Sequence, residues 1–345
     1  MQHIIAPHEV TWAGTTVKAV IALLILSAVA GFGTYIERKV LAWMQRRPGP
    51  SHVGPFGLLQ IAADGIKLFT KEDFIPQFAN KLIFSIAPVI TAGTAFIALI
   101  AVPIFPDFTI PDWIPLLGGV FVPSIASDLN IGILFILGAM AAGLYGPLLA
   151  GMSQDNKWGI LGSARTAVQF LSYEVVSGLS LLAPIMLVGS LSLVDFNNYQ
   201  ASGIGSWLVW KQPLAFVLFL IAGYAETNRT PFDLLEHEAE IVSGYVTEYS
   251  GLRWGLFFIG EYTNMVTIAV LLSVIFFGGY NDFGFLPGWL MMLLKVGFFF
   301  FLMLWVRASW PHVRPDQLMS VSWKVLMPLA VINVVITGIV VMAMA

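Results

Sequence analysis

Eight stretches of this chain are long and apolar enough to cross a lipid bilayer: 16–36, 82–105, 131–151, 167–190, 206–225, 254–278, 289–306 and 325–344. A crossing helix needs about 20 mainly apolar residues, because it rises about 1.5 Å per residue through a hydrocarbon core roughly 30 Å thick. The chain is therefore predicted to be all-α: a polytopic membrane protein, with about eight transmembrane helices and amphipathic helices on its inner face. All of it, residues 1–345, is expected to form a single membrane domain. Composition agrees about the solvent. Charged residues make up 11% of the chain and hydrophobic ones 58%, against about 25% charged in an ordinary soluble domain. That is too little polar sequence to clothe a water-soluble protein of this size. The fifth stretch is the weakest, with Lys211 and Pro213 near its start. It is expected to be short, with Lys211 reaching to the interface. Met1 to Thr16 has no basic segment, and no small-residue cleavage site follows the first apolar run, so that run is expected to be a retained span.

Basic residues orient the bundle. Of the seventeen lysines and arginines, fourteen fall in alternate loops on one side: 37–81, 152–166, 226–253 and 307–324. Only Lys18 and Lys211 belong to the other side, and Lys295 lies inside a span. The basic loops should face the cytoplasm, or the matrix in an organelle, with both termini on the opposite side. The outer loop 106–130 has four prolines, three aspartates and no basic residue, and is expected to form an irregular plug on the outer surface.

The chain contains no cysteine. Cysteine-ligated iron–sulfur clusters, disulfides and thiol catalysis are excluded. The histidines, His3, His8, His52, His237 and His312, all lie outside the apolar stretches, which excludes a transmembrane bis-histidine haem. Any electrons involved must be carried by another subunit. The net charge of −3 gives no sign of a nucleic-acid partner.

The polar sequence is concentrated in the inner loops. Residues 56–71 read as an amphipathic helix. Leu59, Ala62, Ala63, Ile66 and Phe69 share one face, and Gln60, Asp64, Lys67 and Lys71 follow on another. The pattern also suits a helix lying on lipid headgroups, although Asp64 is out of place against an anionic surface. Residues 226–253 carry Glu226, Asp233, Glu236, Glu238, Glu240 and Glu248 against Arg229 and Arg253. Thr230 is placed to cap a helix that begins at Pro231 and ends before Gly244. Such a helix would put Asp233, Glu236 and Glu240 on one face. A solvated acidic loop is the alternative. Closely spaced carboxylates bias one another's protonation, which suits proton exchange.

Charges also occur inside the spans. Glu174 and Glu261 each lie about seven residues into a stretch from its inner end, roughly 10 Å deep. Glu226 closes the fifth stretch on the same side. A charge at membrane depth is costly, so such residues mark a pathway or a pair. The three carboxylates favour a polar route opening inward. The alternative for Glu261 and Lys295 is a structural pairing with other subunits.

Two long motifs now become recognisable. The run 57–73, GLLQIAADGIKLFTKED, and the run 226–240, ETNRTPFDLLEHEAE, resemble the two signatures of the membrane subunit of respiratory complex I at the junction of its two arms. Shorter matches are Glu37-Arg38-Lys39, Ser172-Tyr173-Glu174, Glu261-Tyr262-Thr263-Asn264 and Asp316-Gln317-Leu318-Met319. Together they cover about residues 35–330. Pro315 departs from the pattern, which has an aromatic residue there. The resemblance implies an eight-helix bundle whose inner loops wall a quinone chamber. It places Arg38, Arg46, Asp64 and Phe232 at the quinone. It places Glu174, Glu226 and Glu261 on an acidic route into the membrane, with Asp233, Glu236, Glu238 and Glu240 on the loop that joins the two. It implies quinone as substrate, with NAD, FMN and iron–sulfur clusters held by partner subunits above the inner face. Small membrane subunits and lipid would flank the bundle, in a bacterial or mitochondrial inner membrane. A related subunit of a membrane-bound hydrogenase or formate hydrogenlyase, and a stand-alone proton-coupled transporter, remain alternatives. Transporters often show inverted repeats, and none stands out here. Co-purification with NADH-oxidising subunits, with a nickel hydrogenase, or with nothing separates the three.

The absence of cysteine makes the topology directly testable. Single cysteines at Ser51, Ser124 and Ser202 should each react with an impermeant thiol reagent from one side only: 51 from inside, 124 and 202 from outside. Labelling of 51 from outside, or of 124 from inside, overturns the orientation.

Overall fold

The computed structural model describes residues 12–103, 108–109, 121–122, 129–234, 238–281 and 286–344; at 12–26, 108–109, 121–122 and 238–239 it describes the backbone alone. Helix α1 (Trp12–Met44) is followed by a 3-10 turn at Pro55–Gly57 and the short helix α2 (Gln60–Thr70). Then come α3 (Lys81–Ile100), α4 (Gly132–Gly143), α5 (Tyr145–Ser153), α6 (Lys157–Val188) and α7 (Leu193–Tyr199). The chain continues through α8 (Leu208–Lys211), α9 (Pro213–Glu226), α10 (Glu238–Ile241), α11 (Gly251–Phe276) and α12 (Gly288–Ser309). It ends with α13 (Pro315–Val321), a π turn at Ser322–Leu326 and α14 (Met327–Met344). Pro315, the departure from the family pattern, opens α13 at a position where its missing N–H costs nothing.

The apolar stretches have become helices. Among the described residues six helical runs are long and apolar enough to cross a membrane: Lys81–Ile100, Gly132–Ser153, Lys157–Val188, Gly251–Phe276, Gly288–Ser309 and Pro315–Met344. α1 adds 33 residues. α9, in the weak fifth stretch, has 14, and the one-turn α8 stands one residue before it. In the expected outer plug, Phe108–Thr109 pairs antiparallel with Phe121–Val122, Phe108 opposite Val122. The remainder of that plug up to residue 128 lies outside the described residues.

α11 is the central shaft. It packs against α1, α3, α9 and α12, and every residue from Thr267 to Phe276 is buried. The outward faces are apolar instead. Leu293, Leu294, Phe298, Phe301 and Trp305 of α12 are exposed, as are Val331, Ile332, Val335, Ile336 and Ile339 of α14. A surface of this kind is suited to lipid rather than water.

Buried backbone groups that cannot be satisfied within a helix find partners elsewhere. Pro88 inside α3 has no N–H for the carbonyl of Phe84, four residues earlier. The Tyr249 hydroxyl donates to that carbonyl at 3.0 Å, and the two rings stack 4.0 Å apart. Burial pushes the Tyr249 hydroxyl up to about 12, so it keeps its proton and remains a donor. At the C-terminal end of α11, Gln200 Nε2 donates to the carbonyls of Val274 and Ile275, both at 3.1 Å. Lys295 Nζ donates to those of Phe277 at 2.7 Å and Gly279 at 2.8 Å. Lys295 therefore finds partners within the chain, as a cation at a helix C-terminus.

The inner loop departs from expectation. No helix runs from Pro231 to Gly244. The chain turns at Pro231 and is irregular to Leu234; among the described residues helix reappears as the single turn α10. The reason is tertiary. A helix capped by Thr230 would need the carbonyls of Thr230 and Pro231 for its own first turns. Instead Tyr224 OH donates to the Thr230 carbonyl at 2.6 Å, and the Val313 N–H donates to the Pro231 carbonyl at 3.1 Å. Asp233 and Glu240 therefore do not share a helical face, and Glu236 lies outside the described residues. Gly244 does mark a turn, with φ +52 at the start of a 3-10 segment.

That turn packs backbone to backbone on α6. A Cβ at Gly162 would stand 2.8 Å from Gly244 Cα. Gly162→Ala should therefore dislodge the inner loop and lower the amount of assembled, heat-resistant complex. Gly178→Ala, on the same helix with nothing within 4 Å, should leave it unchanged. Equal thermal stability of the two variants in detergent would show that the close approach carries no weight.

Candidate functional site

A cavity of about 830 Å³ opens at the end of the bundle where α1 gives way to α2, within the usual size of a small-molecule site. α1, α2 and α11 form its walls, with the segment after α9 and the end of α12 above them. Its apolar surface comes from Ile61, Leu68, Trp254, Phe258 and Ile259. Glu37, Arg38, Asp64, Arg229, Asp233 and Arg307 bring charge to it. α2 reaches it because Gly31 of α1 lets Ile61 come close: a Cβ there would stand 2.7 Å from Ile61 Cγ2.

The charges form a graded series from the rim inward. At the rim, Arg38 Nη1 pairs with Asp64 Oδ2 at 2.6 Å, and Gln60 Nε2 donates to Asp64 Oδ1 at 3.0 Å. Lys67 stands 3.8 Å from the same carboxylate. One layer deeper, Glu37 accepts from Arg307 and, at 2.9 Å, from Tyr262 OH. Deeper again, Arg229 Nη2 pairs with Glu261 Oε2 at 2.9 Å, and both side chains are about 5% exposed. Tyr245 OH donates to the other oxygen of Glu261 at 3.3 Å, and the Arg229 guanidinium lies 4.6 Å from the centre of the Tyr262 ring.

Beyond this pair, Gln169 Nε2 donates to the Ala225 carbonyl at 2.8 Å and stands 3.4 Å from Asn228 Oδ1. Glu226 comes next, 5% exposed. It lines a second void of about 10 Å³ with Glu174, Asn264, Met140, Ala141 and Phe170. Glu226 thus stands apart from Arg229, whose carboxylate partner is Glu261.

Comparison with known proteins gives the arrangement its context. The sequence profile described as NADH dehydrogenase matches residues 17–338. The chain belongs to this family. It is 73% identical over 326 residues to the H subunit of NADH-quinone oxidoreductase from a Nitratiruptor species, covering 94% of this chain and 97% of that one. It is 67% identical to the same subunit of Wolinella succinogenes over the same shares. For Helicobacter acinonychis (strain Sheeba) the identity is 60%, over 95% of this chain and 98% of the relative.

The family motifs do not all converge. Arg38, Asp64 and Asp233 line the large cavity, and Glu174 and Glu226 the small void. Glu261 sits between them through its bond to Arg229. Arg46 is exposed in the turn after α1, with φ +54, and is not among the cavity-lining residues. Phe232 packs against Tyr173 and Tyr224, ring centres 5.6 and 5.9 Å away, and is likewise not on the cavity wall. Glu240 pairs with Arg165 at 2.6 Å on the surface. Of Glu238 only the backbone is described, in α10. Sequence reasoning missed Glu37, Arg307, Arg229, Tyr262 and Asn264 as site residues. Glu37, Arg229, Tyr262 and Asn264 lay within recognised motifs, but nothing local joins Glu37 to Arg307, 270 positions away.

The Arg229–Glu261 pair yields a prediction. Removing one partner of a buried pair costs about 3–5 kcal/mol, because the other charge is left uncompensated. Arg229→Met should lower the thermal midpoint of the detergent-solubilised complex, and Arg229→Met/Glu261→Met should recover most of the loss. A double variant no more stable than Arg229→Met would show that the two residues are not energetically coupled.

Proposed function

We propose that this chain is the membrane subunit of a proton-pumping NADH:quinone oxidoreductase, that it walls the quinone chamber where the membrane and peripheral arms meet, and that its buried carboxylates couple quinone reduction to proton translocation. The observation that carries this reading is the large inner cavity, with both apolar and charged side chains on its wall, and a polar series leading from it through Arg229 and Glu261 toward Glu226. The names of the relatives supply the reaction. NADH, FMN and iron–sulfur chemistry belong to redox subunits docked over the inner face. Small membrane subunits and lipid cover the apolar flanks. The chain crosses a bacterial inner membrane eight times with both termini outside, α8–α9 making the short fifth crossing.

The chemistry follows from the cavity's two kinds of wall. Ile61, Leu68, Phe258 and Ile259 suit an isoprenoid tail. Arg38, Asp64 and Asp233 offer polar contacts to the head group. Reducing the quinone to quinol takes two electrons from the partner subunits and two protons from the chamber. Proton uptake changes the charge facing Asp64 and Glu37. Asp64, Glu37 and Glu261 are each paired with an arginine and hydrogen-bonded, so a change at one biases the next. The disturbance passes from the Arg38–Asp64 and Arg307–Glu37 pairs to Arg229–Glu261, and from there to Glu226 and Glu174. The chain contributes position and charge to this sequence of events, not electrons.

Two substitutions test the reading in membrane vesicles, normalised to assembled complex. Asp64→Asn should impair quinone reduction while NADH oxidation by an artificial soluble acceptor survives. Glu226→Gln keeps shape and hydrogen bonding but removes the charge; it should assemble normally and lose both quinone-linked NADH oxidation and pumping. Wild-type quinone reductase activity in the first would remove Asp64 from the chamber. Full activity and pumping in the second would remove Glu226 from the route.

A further inference from the structure

Three elements meet at one phenol behind the cavity wall. Tyr224 lies in the last turn of α9 and is buried. Its hydroxyl stands 2.6 Å from the Thr230 carbonyl and 2.9 Å from the Met303 carbonyl. A phenol has one hydrogen to give, so the two carbonyls share it in a three-centre bond. The acceptors belong to different kinds of backbone. Met303 lies one helical turn before Arg307 in α12, and its carbonyl also receives the helical bond from the Arg307 N–H. Thr230 belongs to the irregular segment after α9. Each carbonyl is thus close in the chain to one arginine of the site. Arg229 precedes Thr230 and pairs with Glu261; Arg307 pairs with Glu37. Arg307, Arg229, Glu37 and Asp233 all act electrostatically on the Tyr224 hydroxyl, and all four line the large cavity. Tyr224 is not itself among the cavity-lining residues. On the cavity side Tyr262 joins the same two pairs, its hydroxyl on Glu37 and its ring against Arg229.

We propose that Tyr224 is a positioning residue for the reaction at the cavity: its one hydroxyl hydrogen, shared between Thr230 and Met303, holds the Arg229–Glu261 and Arg307–Glu37 pairs in one frame. The proposal rests on the quinone-chamber reading given above. Two guanidinium groups on one wall repel each other, and their carboxylate partners come from two further helices, α11 and α1. A fixed distance between the pairs needs the segment after α9 fastened to α12, and the Tyr224 hydroxyl fastens it. The phenol ring is held in turn by Phe232, ring centres 5.9 Å apart. Tyr224 touches no substrate; it acts through the arginines. When proton uptake changes the charge facing Glu37, the field of Arg307 reaches Arg229 with a strength set by their separation. Losing the hydroxyl frees the Thr230 end, because Met303 keeps its helical partner and Thr230 does not have one. The step is electrostatic, and no covalent bond is made or broken at Tyr224.

The test compares two substitutions in the intact complex, each deleting one hydroxyl and keeping the ring. Tyr249→Phe removes a bond to the Phe84 carbonyl, and Tyr249 is not on the cavity wall. It should lower the thermal midpoint and leave turnover per assembled complex and the quinone KM unchanged. Tyr224→Phe should lower kcat for quinone-linked NADH oxidation, and pumping with it, roughly fivefold, the effect of losing one hydrogen bond. The KM for a short-chain quinone and NADH oxidation by an artificial acceptor should stay at wild-type values. A cryo-EM map of Tyr224→Phe should show the Thr230 backbone displaced from α12 and the Arg229–Glu261 contact longer than in the wild type. Wild-type kcat in Tyr224→Phe, with or without a loss of stability like that of Tyr249→Phe, makes the hydroxyl structural and overturns the proposal. A raised KM at unchanged kcat overturns it as well, since that puts the effect on binding. If Tyr224→Phe does not assemble, a wild-type map decides: a hydroxyl beyond about 3.5 Å from either carbonyl overturns the shared bond, and one within reach of both upholds it. Inactive Asp64→Asn and Glu226→Gln beside fully active Tyr224→Phe sink the positioning role alone; full activity in the first two sinks the chamber reading beneath it.

Discussion

A charge inside an apolar bundle has to be answered by another, and the Arg229–Glu261 ion pair is where this requirement shapes the molecule. Arg229 comes from the segment after α9, Glu261 from the central helix α11, and both are about 5% exposed. The desolvation cost of two such charges is recovered only with close geometry and further hydrogen bonds. The pair has both: a 2.9 Å contact and the Tyr245 hydroxyl on the second carboxylate oxygen. Tyr245 follows Gly244, and that turn in turn rests on Gly162 of α6. One ion pair thus draws the inner loop, the central helix and α6 to one place. Arg229 itself lines the large cavity, and Asn264, one turn beyond Glu261 on α11, lines the small void.

The same constraint acts on the backbone. In hydrocarbon, an N–H or C=O that a helix leaves unused must be met by another part of the chain. Pro88 frees the Phe84 carbonyl, and Tyr249 from the inner loop meets it. Pro328 cannot donate to the turn before it, and there the chain switches to π geometry, with Met327 N–H donating five residues back to Ser322. The side chains of that turn are anchored as well. Ser322 Oγ donates to the Ser172 carbonyl at 2.8 Å, and Trp323 Nε1 to Ser172 Oγ at 3.1 Å. Side chains that might be read as chemical in the sequence, such as Tyr249 and Lys295, serve to close these backbone gaps.

The helical class of the fold was legible because hydropathy over twenty residues is a property of each segment by itself. The helix of the 57–73 motif was legible for the same reason; its orientation was not. Its cavity side mixes the two expected faces, with Asp64 and Lys67 beside Ile61, Leu68 and Phe69, while Leu59 and Ile66 are exposed. Periodicity divides a helix into faces but cannot say which face meets the rest of the chain. The 226–253 loop failed differently. Thr230 and Pro231 are sound local signals for a helix start. Tyr224 and Val313 take the carbonyls that helix would have used, and neither competitor is a near neighbour in helical register.

By itself the sequence determined the solvent, the helical class and the identity of the polar groups that had to be accommodated within the membrane. Each of these follows from composition along a short window or from a motif. Only the tertiary structure decided how those groups are placed: Glu37 with Arg307, Arg229 with Glu261 rather than with Glu226, and Glu226 with Glu174 on the wall of one small void. Electrostatic and hydrogen-bond energies fall off within a few ångströms, so partners are chosen by proximity in space. Proximity between residues 32 or 270 positions apart is set by how the helices pack, which no local pattern records.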